Sequence, residues 1–212
     1  MFVKDKMTKN PVTISPDDVV SSAVDIFNKN IFHRLPVVDK SNHVVGLITE
    51  TNVAENVPSK ATSLSIHEIN YLLNKTTIAD IMIKDVVTCS PNDLLEEAAD
   101  KMIQSNVFTL PVVDQGFLVG IITQKDIFSA FIEVQGYYNK GTRVVLSIEK
   151  DQTGILKDIA TILADNNISI THLVVERGDK INIVIRVDET DSIKVCNLLK
   201  DKYEIIDIKS YK

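Results

Sequence analysis

The chain has no tryptophan and few glycines, prolines and cysteines, with 7, 6 and 2 of these among 212 residues. Such low numbers exclude a collagen-like chain and a small fold held together by disulfides. No run of about 20 apolar residues is present and mean hydropathy is only +0.07, so no membrane insertion is predicted. The first 13 residues lack the apolar core that a signal peptide needs. Together these absences predict a cytoplasmic globular protein.

The charge balance narrows the partners that the chain can take. A formal net charge of −6 argues against a general nucleic-acid binder, which shows a basic surplus. It does not exclude a small phosphorylated ligand, because the local charge of a pocket can oppose the total. Cys89 and Cys196 lie in apolar segments, so we predict reduced, buried cysteines rather than a disulfide or a metal pair.

The first two thirds of the chain contain an internal repeat. Residues 7–39 align with residues 82–114 at a constant offset of 75, and 14 of the 33 pairs are identical. After a one-residue deletion the match continues, because GLITETNV at 46–53 aligns with GIITQKDI at 120–127. Chance does not produce such a match over about 50 residues, so the chain carries two copies of one supersecondary unit.

Each copy shows the same predicted order of strand, helix, strand, strand and helix. In the first copy, residues 12–14 are predicted as a strand, and Ser15-Pro16-Asp17-Asp18 as the start of a helix through a serine cap. Residues 35–38 and 43–49 are predicted as two strands joined by a turn at 40–42, and a helix follows Thr49. The second copy has Gln115-Gly116 at the corresponding, tighter turn. A single copy is too small for a good core, so the two are expected to pack together.

The repeat resembles the tandem CBS-domain pair, or Bateman module. The residues that carry the resemblance are HRLPVVD, TLPVVD, GLITETN and GIITQKD, at 33–39, 109–114, 46–52 and 120–126. The resemblance covers about residues 1–135. We therefore divide this part into a first CBS repeat at 1–56, a helical linker at 57–77 and a second CBS repeat at 78–135.

The spacing Gly-apolar-apolar-Thr-x-x-Asp places Thr123 and Asp126 at the mouth of one helix, where anions are favoured. Spacing alone favours a capping box without ligand. The resemblance implies an adenine nucleotide (AMP, ADP or ATP), with Asp126 on the ribose and Thr123 near the phosphate. The full set of nucleotide-binding residues that we predict is Thr123, Asp126, Thr49, Asn52, His33, Arg34, Ile14 and Val87.

The two copies differ at these positions. The first copy has Asn52 where the aspartate belongs, and only the first copy has His33-Arg34, which the resemblance places near phosphate. An ion pair of Arg34 with a nearby acid at the surface is the alternative. We predict one competent site, involving Thr123 and Asp126, and a second site that is weak or altered.

The remaining residues form a different domain. After a linker at 136–142, residues 143–212 show the order βαββαβ of a ferredoxin-like fold. The segment DQTGILKDIATILADNNISI at 151–170 resembles ACT domains, which implies dimerisation or an amino-acid ligand at the positions Asp151, Gln152, Gly154 and Ser169. Gly154 is expected to be glycine because an approaching backbone leaves no room for a Cβ. Two departures, Thr153 for the usual proline and Ser169 for asparagine, weaken the amino-acid alternative.

The predicted fold class is therefore α+β, with a CBS pair followed by an ACT-like domain. This order is similar to the AcuB-like (acetoin utilisation) family of stand-alone regulatory proteins. No zinc, Walker or nucleophile motif is present, so we predict no enzyme and no required cofactor. Two functions remain open: a nucleotide-sensing regulatory protein, expected to be a homodimer with a protein target, or a structural interaction subunit that binds no nucleotide and regulates a partner enzyme or transporter.

Overall fold

The computed structural model describes residues 1–56, 65–150 and 152–211. It divides into two compact units, Met1–Phe128 and Ser129–Lys212, and one helix crosses the division. The elements up to that helix are α1 (Val3–Lys6), β1 (Thr8–Lys9), α2 (Val20–Lys29), β2 (Arg34–Val38), β3 (Val44–Thr49), α3 (Glu50–Asn56), α4 (Ile66–Lys75), α5 (Ile78–Ile81), α6 (Leu95–Gln104), β4 (Thr109–Asp114), β5 (Phe117–Thr123) and α7 (Gln124–Val134).

The hairpins of the two copies confirm the predicted repeat. Strands β2 and β3 pair antiparallel, as do β4 and β5, and each pair has a register shift at the same place in its LPVV segment. The tighter second turn needs positive φ at both of its residues, 48° at Gln115 and 92° at Gly116. Helices α3 and α7 begin directly after Thr49 and Thr123, as predicted.

The segment that precedes each copy packs on the other copy. The backbone N–H of Val3 in α1 donates to the carbonyl of Asp93 at 2.9 Å, and that of Ile78 in α5 donates to Asp18 at 2.8 Å. Strand β1 likewise pairs with β5 of the second copy, with Thr8 opposite Ile121. These reciprocal contacts give the first unit an approximate two-fold symmetry.

Two predictions about the start of each copy are wrong. Residues 12–14 do not form a regular strand, since Ile14 makes a single parallel bridge, as Cys89 does at the corresponding place of the second copy. The serine-proline segment does not begin a helix either, because α2 starts only at Val20. The N–H of Ser15 donates to Asp18 Oδ2 at 2.9 Å, so the two side chains close a turn instead of capping helical N–H groups.

The helix α4 confirms the helical part of the predicted linker. Ser65 and Glu68 form a capping box in which the Ser65 N–H donates to Glu68 Oε2 at 2.8 Å and the Glu68 N–H donates to Ser65 Oγ at 3.3 Å. Leu73 of this helix packs against the core of the first copy. Residues 57–64 of the predicted linker lie outside the described residues.

The second unit confirms the predicted βαββαβ order. Its four-stranded antiparallel sheet has the order β7-β8-β6-β9, and eleven buried residues from its strands, helices and loops form its core. His172 lies on β7, the edge strand of this sheet. The elements are β6 (Gly141–Ile148), α8 (Ile155–Ala164), β7 (Ile170–Arg177), β8 (Ile181–Val187), α9 (Ser192–Leu199) and β9 (Glu204–Tyr211).

Candidate functional site

The first unit contains a cavity of about 670 Å³ between its two copies. Both hairpins contribute to its wall, together with the segment around β1 and the first turn of α7. A volume of this size falls in the range of small-molecule pockets. The lining residues are Thr8, Asn10, Pro11, Val12, Ile31, Phe32, His33, Arg34, Phe108, Thr109, Ile121, Thr123, Gln124 and Lys125.

Cationic side chains stand beside an apolar wall in this cavity. The Arg34 guanidinium carbon lies 5.7 Å from the centre of the Phe108 ring, a cation–π distance, so the ring helps to hold the guanidinium in place. His33 Nδ1 lies 2.9 Å from Glu50 Oε2. Lys125 adds a third basic side chain to the wall. The structure therefore brings the predicted residues His33 and Arg34 together with a lysine that the sequence analysis did not select.

Thr123 and Asp126 form the capping box that their spacing allowed. The N–H and the hydroxyl of Thr123 both donate to Asp126 Oδ2, at 2.8 and 2.7 Å, and the Asp126 N–H donates to Thr123 Oγ1 at 3.4 Å. These bonds engage one carboxylate oxygen. The other, Oδ1, accepts no bond from the part of the chain that the structure describes. Thr123 lines the cavity, and Asp126 is half-buried next to it.

Thr49 and Asn52 repeat this geometry in the first copy, where the Thr49 hydroxyl donates to Asn52 Oδ1 at 2.6 Å. Neither residue lines the cavity. The other two predicted residues also lie elsewhere: Ile14 is buried in the core of the first copy, and Val87 is half-buried outside the lining. Val12, which aligns with Val87 in the repeat, supplies the apolar contact instead.

Thr109 is a lining residue that the sequence analysis did not count as part of the site. It occupies the position of Arg34 in the second copy and lies directly opposite Thr123 in the β4–β5 ladder. That register offered a signal, because residues opposite each other in a hairpin have side chains on the same face. Lys125 offered one too, since it lies inside the GIITQKD motif.

The first unit also holds a buried cysteine close to an ion pair. Burial raises the pKa of the Cys89 thiol to about 11, so the thiol stays protonated and serves as a small apolar group. Cys196 is half-buried and, like Cys89, is not in a disulfide. No group of three or more potential metal ligands occurs in residues 1–56, 65–150 and 152–211.

The second unit has a cavity of about 300 Å³ at the start of α8. Gln152 and Gly154 line it, together with Arg177 at the end of β7, whereas Asp151 lies outside the described residues. Ser169 is not in the lining, and its N–H donates to Asp188 Oδ1 at 2.8 Å.

Crowding by neighbouring protein atoms does not explain the glycine at 154. A Cβ at this position would meet no atom within 4 Å, so space does not require glycine. The residue has a φ of +103°, which disfavours side chains with a Cβ, and it is the N-cap of α8. Backbone conformation therefore explains this glycine.

The first unit consists of two α+β copies, and the leading segment of each copy packs on the other. A cavity lies between the copies, and a ferredoxin-like unit follows in the chain. These features define an α+β protein built from a tandem repeat and a second domain. The CBS domain model matches residues 3–59 and 78–133, and the ACT domain model matches residues 142–200. The chain belongs to the CBS-domain family and carries an ACT domain after the pair. No described helix has both the length and the apolar character to cross a membrane.

Several known proteins resemble the CBS part. AcuB of Vibrio cholerae, named for acetoin utilization, is 25% identical with a TM-score of 0.54, over 65% of this chain and 95% of that one. The CBS pair of protein MJ0100, crystallised with 5-methylthioadenosine and S-adenosyl-L-methionine, is 31% identical with a TM-score of 0.51, over 62% and 95% of the two chains. The uncharacterized protein MJ1426 of Methanocaldococcus jannaschii is 30% identical over 62% of this chain and 92% of its own length.

An enzyme that resembles the chain is matched over a small part of its own length. Inosine-5'-monophosphate dehydrogenase of Nitrosopumilus maritimus is 34% identical over 57% of this chain, but the match covers 22% of the enzyme. The similarity therefore concerns a CBS segment and leaves most of the enzyme unmatched.

Proposed function

We propose that the protein is a regulatory sensor that binds an adenine nucleotide in the cavity between the CBS copies. The observation that carries the proposal is the composition of the cavity wall, in which Arg34 and Lys125 stand beside the apolar side chains of Val12, Phe32 and Ile121. An apolar wall suits a purine base, and guanidinium and ammonium groups suit phosphate. The chain as a whole has a formal net charge of −6, so the positive charge at the cavity wall is opposite in sign to the total.

The geometry supports one orientation of the nucleotide. The free carboxylate oxygen of Asp126 accepts a ribose hydroxyl, the phosphate lies near Arg34 and Lys125, and the base contacts the apolar wall. The MJ0100 pair, which was crystallised with two adenosine derivatives, supports adenosine as the shared part of the ligand. Binding rather than catalysis is then the role of this cytoplasmic protein, and no cofactor takes part.

A ligand panel tests the proposal. We expect AMP, ADP or ATP to raise the melting temperature, and calorimetry to give the Kd; S-adenosylmethionine, NADH and cyclic di-AMP complete the panel. Arg34→Ala and Lys125→Ala should each weaken nucleotide binding by about tenfold or more, because a charge-assisted bond is lost. Lys40→Ala, which removes the same charge at the exposed hairpin turn, is the matched control. Equal Kd values for all four proteins contradict the proposed site.

The second candidate is an interaction subunit that binds no nucleotide. Asn52 in place of the aspartate, and Phe108 and Thr109 in place of the His-Arg pair, favour this candidate, because each removes a charge from a ligand-binding position of one copy. A melting temperature unchanged by every compound in the panel would select this alternative. Light scattering would then determine whether the partner is a second copy.

We also propose that the ACT domain either dimerises the protein or binds an amino acid at the start of α8. The cavity there combines the first N–H groups of a helix with Arg177 and Lys157, which suits a carboxylate. If an amino acid binds and the two modules are coupled, the amino acid must change the affinity for the nucleotide. The nucleotide must then change the affinity for the amino acid by the same factor. Calorimetry with the 20 amino acids, with and without AMP, tests this; additive, independent titrations contradict the coupling.

A further inference from the structure

Four basic residues stand side by side across the sheet of the second unit. Arg186 of β8 lies directly opposite His172 of β7 and Arg143 of β6, and Arg143 lies opposite Lys209 of β9. Residues directly opposite each other in a sheet share a face, so these four residues form one basic row. The residues on either side of Arg186 belong to the core, together with residues of α8 and α9. The basic row therefore lies on the sheet face that the helices leave open.

Arg186, in the middle of the basic row, is a buried cation without a hydrogen-bond acceptor. It is only 8% exposed, and its guanidinium carbon lies 4.5 Å from the centre of the Tyr211 ring. Within the described residues the guanidinium makes no hydrogen bond and no ion pair. Asp188, the first acid after it in the chain, accepts from the Ser169 N–H at 2.8 Å instead. The described side-chain atoms that are both fully enclosed and unpartnered are two threonine hydroxyls, so the guanidinium nitrogens still reach solvent.

The basic row carries more positive than negative charge. Arg143 donates to Asp207 Oδ2 at 2.8 Å. Lys209 Nζ lies 5.4 Å from the centre of the Tyr211 ring and has no acidic partner in the described part of the chain. Three permanent cations, Arg143, Arg186 and Lys209, thus share one carboxylate, which leaves a surplus of two positive charges. Like charges opposite each other in a sheet are destabilising, and so is a buried cation without a partner.

The linker before β6 borders the basic row at two places. A Cβ on Gly136 would collide with the His172 ring, so the backbone at 136 lies against that ring. The centre of the Tyr137 ring lies 6.3 Å from that of the Tyr211 ring, which also contacts Arg186. All of these residues belong to the second unit. The linker therefore adds a wall beside the row, and a group bound there gains contacts that a flat sheet face does not offer.

We infer that the basic row binds a compact dianion, either a phosphate monoester group or a small dicarboxylate, with Arg186 as its main contact. Both groups carry about two negative charges near neutral pH and present oxygen acceptors to the planar fork of a guanidinium. Such a ligand supplies the acceptors that Arg186 lacks and balances the surplus of two charges. No residue of the row lines the cavity between the CBS copies or the cavity at the start of α8, so this is a separate site.

Inorganic phosphate and malonate are the probes, each compared with sodium chloride at equal ionic strength. We expect at least one of them to bind the full chain in calorimetry, and to raise the melting temperature by about 3–5 °C at ten times its Kd. Arg186→Gln should weaken binding at least tenfold, because charge-assisted hydrogen bonds are lost. Lys209→Gln should weaken it about threefold, and its exposed position keeps the test valid if Arg186→Gln does not fold.

The matched control is Lys200→Gln, which removes the same charge at the exposed C-cap of α9 and should keep the wild-type Kd. Amide chemical shifts locate the binding, because phosphate-dependent changes should cluster in β6, β8 and β9 and be absent in Arg186→Gln. Binding of phosphate alone identifies a phosphate monoester group, and binding of malonate alone identifies a dicarboxylate.

Three results would overturn the inference: binding of neither probe, an unchanged Kd in both Arg186→Gln and Lys209→Gln, or shift changes confined to the first unit. The proposed nucleotide site stands in each of these cases, since Arg34 and Lys125 lie in the first unit and are tested separately. If no nucleotide binds while phosphate or malonate binds at Arg186, the proposed function fails and this inference holds.

Discussion

At the scale of single residues, one ion pair distinguishes the second copy from the first. Lys101 Nζ lies 2.7 Å from Asp93 Oδ2. The hydrogen bond from Lys101 is the main cause that lowers the pKa of Asp93, and the bond to Asp93 is the main cause that raises the pKa of Lys101. The first copy keeps the aspartate as Asp18 but has Ile26 at the position of the lysine, so it cannot form this pair.

The pair predicts a pH-dependent part of the stability. A lowered folded-state pKa means that Asp93 stabilises the fold above its unfolded-state pKa of about 3.9, and that this contribution is lost as pH falls through the folded-state value. We therefore expect Lys101→Ala to lower the free energy of unfolding by about 0.5–1 kcal/mol at pH 7, a modest effect because both side chains are partly exposed. The loss should be smaller at pH 2–3 than at pH 7, because Asp93 takes up a proton as the pH falls through its lowered pKa.

Urea unfolding of the two proteins at both pH values measures this difference. Lys29→Ala, a change at an exposed lysine of α2, is the control and should have a small effect at either pH. A deficit of equal size at pH 7 and pH 2–3 would show that Lys101 acts by packing of its alkyl chain rather than by its charge.

Sequence reasoning found some residues of the site and missed others for a physical reason. His33, Arg34 and Thr123 stand out by type and motif, and the structure places all three in the cavity wall. Thr109 and Val12 are ordinary residues whose importance comes from position alone. The place of Val12 depends on the packing of the two copies, which no local pattern encodes. The position of Thr109 opposite Thr123 follows from the hairpin register, which the sequence analysis did not use.

At the scale of elements, the exchange of leading segments makes α1 part of the second copy. Val3 is fully buried although its helix has only four residues, and its N–H is bonded to Asp93. A helix this short is unstable alone, so tertiary contacts must hold it in place. Loss of the α1 contacts should therefore destabilise the second copy, although that copy is distant from α1 in sequence.

Val3→Ala is expected to reduce the free energy of unfolding by about 2 kcal/mol, since two buried methyl groups are removed. Hydrogen exchange should show faster exchange in β5, which pairs with β1, than in β2 and β3. Val134→Ala, at a half-exposed position of α7, is the control. Faster hydrogen exchange confined to β2 and β3 would contradict the packing of α1 and β1 on the second copy.

The elements also show how far local patterns reach. The hairpins were predictable because alternating apolar residues and turn residues specify them within a few positions. The helix start at Ser15 was predicted wrongly because serine and aspartate bind each other in a turn as readily as they cap a helix. The exchange of α1 and α5 was not foreseen, because the decisive contacts join residues about 60–90 positions apart, such as Ile78 with Asp18 and Val3 with Asp93.

At the scale of the whole molecule, the approximate two-fold symmetry relates two clefts whose charges differ. Around the cavity, the cleft of the second copy has Asn10, Gln124 and Lys125. The aligned positions of the other cleft hold Asp85, Glu50 and Thr51. Two neutral groups and a cation are thus replaced by two acidic residues and a neutral one. A phosphate is attracted to the first set and repelled by the second, since like charges at close range are unfavourable.

This charge difference predicts one phosphate-bearing ligand per chain, although the fold offers two related clefts. Calorimetry with AMP should give a stoichiometry near one for the wild type. The double variant Asp85→Asn with Thr51→Lys copies the charges at two of the three cavity positions, Asn10 and Lys125, and we expect it to add a second, weaker binding event. Its matched control, Asp179→Asn with Thr190→Lys in the second unit, makes the same changes outside both clefts and should keep a single event. Two equivalent events in the wild type would contradict the argument, because charge would then not select between the clefts.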